Sequence, residues 1–145
     1  MSASNIERFD EITGEVFARL YASFPVPCLL KSADYVDHPT KYHEHLCCEV
    51  ASEEGEFFFA CIRWLESSGY ITTGGQNEQF VAEALLTSKG LEVLRAVPAS
   101  LQGKASIGER LGEVAAEGGR EGMRSLVTEA LGLGARLLGQ QIGLT

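Results

Sequence analysis

Trp64-Leu65-Glu66-Ser67-Ser68-Gly69-Tyr70-Ile71, followed after a short interval by Leu86-Thr87-Ser88-Lys89-Gly90-Leu91-Glu92-Val93-Leu94, is the stretch on which the fold turns. Gly69 reads as the stop just beyond a helix, because glycine enters the left-handed conformation that ends a helix without a Cβ penalty. Tyr70-Ile71-Thr72-Thr73 has strand propensity, Gly74-Gly75-Gln76-Asn77 is turn material, and Phe80 to Leu86 returns as a second strand. Thr87 then caps a helix carrying Leu91, Val93, Leu94 and Val97, which Pro98 closes off. On the other side, Ser52 caps the helix that ends near Gly69, with Glu53 and Glu54 in its first turn, where the helix dipole favours negative charge. Placed at about 100° per residue, Phe57, Phe58, Cys61, Ile62, Trp64 and Leu65 share one broad face. Glu56, Phe59, Arg63 and Glu66 fall opposite.

Further toward the N-terminus, Ser4-Asn5-Ile6-Glu7 has capping-box form, and Ile6, Phe9, Ile12, Val16, Phe17 and Leu20 recur at helical spacing. Pro25 and Pro27 end that helix near Phe24. Residues 28–51 read as short strands or turns as readily as a helix. The composition shifts at Pro98: every Phe, Tyr, Trp, His and Cys precedes it, so an aromatic core belongs to residues 1–97. Residues 98–145 read as a helical arm. Ser106-Ile107-Gly108-Glu109 caps a short helix to about Glu117, Gly118-Gly119 interrupts it, and a longer helix runs from about Glu121 toward Leu144.

The order helix, helix, hairpin, helix resembles the winged-helix (winged helix-turn-helix) superfamily. The Trp64–Ile71 phrase looks like a recognition-position helix turning into the first wing strand, and the Leu86–Leu94 phrase looks like the entry to the helix after the wing. Similar phrases occur in MarR-like and PadR-like regulators and in small bacterial proteins. The resemblance covers residues 53–97 well, residues 4–24 loosely and the last third not at all. It implies an α+β class, with a winged-helix domain over 1–97 and a C-terminal helical arm over 98–145. Its motifs specify a fold much better than a function.

Members of the superfamily that bind DNA insert the helix before the wing into the major groove, which calls for donors on its outward face. Here that face offers Arg63 beside Glu56 and Glu66, and the wing offers Gln76 and Asn77 followed by Glu78. The chain of 145 residues has a net charge of −8, and residues 1–97 alone hold seven Lys or Arg against fifteen Asp or Glu. Carboxylates facing phosphate oppose the counterion release that drives duplex binding, so nucleic acid is disfavoured. A protein partner fits better. Glu56, Phe59, Arg63 and Glu66 form the expected contact surface, with Phe59 either an exposed anchor among charges or covered by residues 28–51.

All three His and two of the four Cys fall within residues 38–48. If residues 43–47 are extended, His43, His45 and Cys47 point the same way and begin a metal site, although the spacing matches no zinc finger or ribbon. No nucleophile elbow, P-loop or dinucleotide-binding glycine pattern is present, so no enzymatic activity and no cofactor are expected. The four irregularly spaced Cys and the lack of an export signal point to the cytoplasm.

In the arm, Leu126, Ala130 and Leu137, with Leu138 alongside, form an apolar face spanning about half the helix circumference. It can pack back on the winged domain, bind another protein or pair with its copy; homodimerisation through these four residues is the leading expectation. Charges at Glu129 and Arg136 disfavour membrane insertion. The sequence therefore suggests a non-enzymatic, cytoplasmic protein-interaction or regulatory module that forms a homodimer. A DNA-binding transcriptional regulator is the alternative, and a metal-dependent sensor using His43, His45 and Cys47 is the third reading.

Overall fold

A computed structural model of the chain describes residues 4–97 and 105–141, the last four of these by backbone alone. It is a mixed α+β arrangement with small antiparallel sheets. Helix α1 (Asn5–Ser23) begins where Ser4 Oγ accepts the Glu7 N–H at 3.1 Å. It stops before Pro25 and buries Ile12, Val16, Phe17 and Leu20. Strand β1 (Cys28–Lys31) turns Cys28 and Leu30 inward and Leu29 and Lys31 outward, the alternation of a half-buried strand. A single 3-10 turn (Ser32–Asp34) leads to β2 (Thr40–His43) and β3 (Cys48–Ala51), which pair only with each other. Residues 28–51 thus hold three short strands joined by turns, two of the strands forming an isolated hairpin.

Helix α2 (Glu53–Ser67) is capped by Ser52, whose Oγ accepts the Gly55 N–H at 3.1 Å and donates to the His38 carbonyl at 2.6 Å. The one side chain therefore starts the helix and fixes the foot of the hairpin. After α2 come β4 (Ile71–Thr72), β5 (Gly75–Gln76) and β6 (Phe80–Leu86). Strand β6 is central, with β1 antiparallel on one edge and β4 and β5 in succession on the other. Gly75 and Gln76, expected as turn, pair instead with Ala82 and Val81. The β1–β6 register slips between Cys28 and Leu30, and Glu83 stands at φ +51°, as the extra residue of a bulge does.

Helix α3 (Ser88–Arg95) follows the expected Thr87 cap, whose Oγ accepts the Gly90 N–H at 3.0 Å and donates to the Gly69 carbonyl at 2.5 Å. A Cβ at Gly90 would run into the Tyr70 carbonyl, so only glycine lets α3 lie this close to the start of β4. Pro98, the expected end of this helix, lies outside the described residues.

Helices α4 (Ile107–Glu117) and α5 (Arg120–Gln141) lie against α1, and α5 also lies against α3. A Cβ at Gly108 would stand 2.6 Å from the Tyr21 ring, so the bare glycine lets α4 lie close to α1 here. Ile107, Leu111, Met123, Leu126, Val127 and Ala130 enter the same core as Phe17, Phe58 and Val93. Leu126 and Ala130, expected at a subunit interface, are therefore covered by the chain itself, and Leu137 is partly buried against the same core. The reason is proximity: α1 and α3 each carry an apolar stripe that needs a partner, and the broad face of α5 fits both. The side chain of Leu138, and Leu144 altogether, lie outside the described residues. Among the described residues no helix is long and apolar enough to cross a membrane.

Candidate functional site

An open apolar surface lies between the start of α1 and the outer side of α2, with Leu131 of α5 at one end. On α1, Ile6 and Phe9 stand three residues apart, so both point to the same side. On α2, Phe57, Cys61 and Trp64 follow the i, i+4, i+7 spacing of one helical stripe, with Ala60 beside them. The two stripes face each other across a groove of about 480 Å³, rimmed by Asn5 and Asp10. Ile6 is 70% exposed and Trp64 47%, an unusual state for two large apolar side chains in one depression.

Trp64 is held rather than loose. Its ring meets Phe9 edge-on, with centroids 5.3 Å apart, and stacks on Tyr70 at 6.3 Å. Tyr70 in turn donates its hydroxyl to the Leu131 carbonyl at 3.4 Å, and Lys89 Nζ sits 4.4 Å over the Tyr70 ring while donating to the Ser68 carbonyl at 2.8 Å. An aromatic fixed in this way loses little freedom when something docks on it. The floor residue Cys61 is buried, which pushes its thiol up to about 12, so it serves as wall and not as nucleophile. On the rim, burial raises the Asp10 carboxyl above its ordinary range, partly offset by the charge of Arg124. Arg124 itself pairs with Glu7 at 2.6 Å and ties α5 to the first turn of α1.

The contact surface expected from the sequence is differently placed. Phe59 is only 3% exposed, packed edge-on against Phe58 at 5.2 Å, whereas Trp64, assigned to the core, is open. The cause is the segment whose fold was unreadable. The foot of the β2–β3 hairpin reaches the β5–β6 turn, where the Ala51 N–H donates to the Glu78 carboxylate at 2.8 Å, and both residues wall the recess over Phe59. This cover rotates the buried arc of α2 toward Phe59 and away from Trp64. Glu56 and Arg63 border that recess, while Glu66 is bound to the residue after β4, accepting from the Thr73 N–H at 3.2 Å and Oγ1 at 3.0 Å. The groove residues Ile6, Phe9 and Trp64 were missed as a site because nothing in the helical period says which part of an apolar arc will stay uncovered.

The histidines and cysteines sit on the β2–β3 hairpin, and residues 44–47 form its turn instead of an extended run. Cys47 adopts φ +54°, which breaks the alternation that would align it with His43 and His45. His43 Nδ1 accepts the Leu46 N–H at 3.1 Å, and Cys47 Sγ donates to the Glu44 carbonyl at 3.4 Å, so both serve the turn. Among the described residues no three His, Cys, Asp or Glu gather as a metal-binding group. Between β5 and β6, Asn77 Oδ1 accepts the Gln79 and Phe80 N–H groups at 2.7 and 2.9 Å, which uses its amide oxygen within the turn. No protein-family model, curated protein or solved structure matches the chain.

Proposed function

We propose that this chain is a non-enzymatic protein-binding module, and that the groove between α1 and α2 takes the apolar side of an amphipathic, basic helix from a partner protein. The observation that carries this reading is the groove itself, with Trp64 and Ile6 held open on an apolar floor. Helix-in-groove recognition uses such a depression, read by large side chains at i, i+3 or i+4 and i+7. The charge of the partner follows from the rim. Asp10 borders the groove, and residues 1–97 carry eight more acidic than basic groups.

The frame is proposed to be a winged helix in which the β2–β3 hairpin takes the place of the second helix. In support, α1 is followed by β1, β1 pairs with β6, and α2 directly precedes the β4–β6 pairing. On that frame the recognition-position helix presents Trp64 and carboxylates, which suits polypeptide better than duplex DNA.

Trp64 is the sole tryptophan and reports on its own site. Titration with a short leucine–lysine amphipathic helical peptide is expected to shift its emission to shorter wavelength and saturate. The exposed substitution Ile6→Glu, which leaves the core untouched, is expected to remove that response. No spectral change with the peptide, or an unaltered response in Ile6→Glu, would refute the proposal; salt-sensitive binding of a DNA duplex in its place would establish the regulator reading.

A further inference from the structure

On the other side of α1 from the groove lies a cleft of different chemistry. It consists of an inner cavity of about 340 Å³ and a wider vestibule of about 820 Å³. The two share a wall made by Arg8, Glu15, Tyr35, Val36 and Arg120. Volumes of this order are those of small-molecule sites.

The charges in this cleft are not paired with one another. Among the described residues the ion pairs are Arg110–Glu113 and Arg124–Glu7, so no carboxylate stands within 4.0 Å of Arg8 or Arg120. Arg8 is nevertheless fixed, its guanidinium lying 4.0 Å over the Phe57 ring. Glu11 and Glu15 face the inner cavity, equally without a cationic partner at that distance. Glu15 is half-buried, and burial together with the neighbouring charge of Glu11 raises its carboxyl, more than the distant Arg120 lowers it. Burial likewise pushes the Tyr35 phenol up to about 12, so it stays a neutral donor beside them. The vestibule adds Asp34, Asp37, Glu53 and Glu54 and no further cation. The inner cavity is therefore balanced, two guanidiniums against two carboxylates, and the outer part is acidic.

We infer that this cleft binds a small zwitterion with a second cationic end, a free basic amino acid. Its carboxylate bridges Arg8 and Arg120, whose planar forks match a carboxylate bidentately. Its α-ammonium lies against Glu15 and Glu11, and its side-chain cation extends into the acidic vestibule among Asp34, Asp37, Glu53 and Glu54. A simple anion would be repelled by the vestibule and a simple diamine by the two arginines, so the arrangement selects for a molecule with both.

The test is calorimetric titration of the full chain with L-lysine and L-arginine, beside L-norleucine, which lacks the side-chain cation, and cadaverine, which lacks the carboxylate. Saturable binding of at least one basic amino acid is expected, with norleucine and cadaverine weaker by about tenfold or more, as loss of one charge-assisted contact predicts. Arg120→Ala, at an exposed position, is expected to weaken the basic amino acid similarly while tightening cadaverine, which then meets one repelling charge fewer. Absence of binding by both basic amino acids overturns the inference, as does equal binding of cadaverine or an unaltered affinity in Arg120→Ala. Because Trp64 lines the groove and not this cleft, its emission separates the two sites, and failure here leaves the peptide titration intact.

Discussion

Substitution of Leu126 by alanine distinguishes a helix packed on its own chain from one reserved for a second copy. Leu126 is 6% exposed within the shared core, where α5 meets α1. Removing its three outer carbon atoms leaves a void bordered by side chains that relax only in part, which for buried leucines costs about 2–5 kcal/mol. At about 3 °C per kcal/mol for a domain of this size, the melting temperature is expected to fall by about 6–15 °C. Thermal unfolding followed by circular dichroism measures this, with Leu46→Ala at the exposed hairpin tip as control, expected to change stability by less than about 0.5 kcal/mol. Light scattering on the same samples completes the comparison, since loss of a core contact leaves the mass of the folded protein unchanged. A variant with wild-type melting temperature but a smaller mass would refute the packing argument and return Leu126 to a subunit interface.

Gly90→Ala is expected to lower the urea midpoint, with a loss above about 2 kcal/mol, because the added methyl meets the Tyr70 backbone carbonyl; an unshifted midpoint would mean that α3 is not seated there. Glu15→Gln is expected to stabilise the protein at neutral pH. The folded carboxyl titrates above its ordinary 4.5, so the folded state holds the proton longer and stability falls as pH rises from 4.5 through the folded value. The difference between variant and wild type should vanish below 4.5 and stay under about 1 kcal/mol above the window, since solvent screens a half-buried group. A constant difference across that window in paired unfolding curves would contradict this. Native alkylation at mildly alkaline pH should label the exposed Cys47 and Cys48 and spare the buried Cys28 and Cys61, giving two adducts by mass spectrometry; rapid addition of a third would show that the core opens.

Features fixed by near neighbours in the chain were legible before the coordinates. The caps at Ser4, Ser52, Thr87 and Ser106 each accept the backbone N–H three residues on, a contact that needs no tertiary context. The left-handed glycines at 69 and 118 that follow α2 and α4 belong to the same class. What escaped was decided at a distance. The pairing of Leu30 with Val81 joins segments about fifty residues apart, and no periodicity announces it. The rotation of α2 follows from the Ala51–Glu78 contact, so the wheel alone assigned Trp64 to the core and Phe59 to the surface. The apolar face of α5 is legible as a face, but the sequence does not say that α1 and α3 meet it, because stripes on α1 and on a second chain look alike in sequence. The opposed charges of the cleft come from α1, the 3-10 turn, α2 and α5, and only the folded chain brings them together.

The contact between Tyr21 and Ser106 spans 85 residues and marks how α1 is roofed by the last two helices. At about 5–20 residues per second, a ribosome needs about 4–17 s to pass from one of these positions to the other. During that interval Gly14 and Tyr21 have been made but the helices that cover them have not. Helix α1 is thus made well before its cover, and a nascent chain of this protein carries a sticky, unprotected surface through that interval, a natural place for a chaperone to hold it.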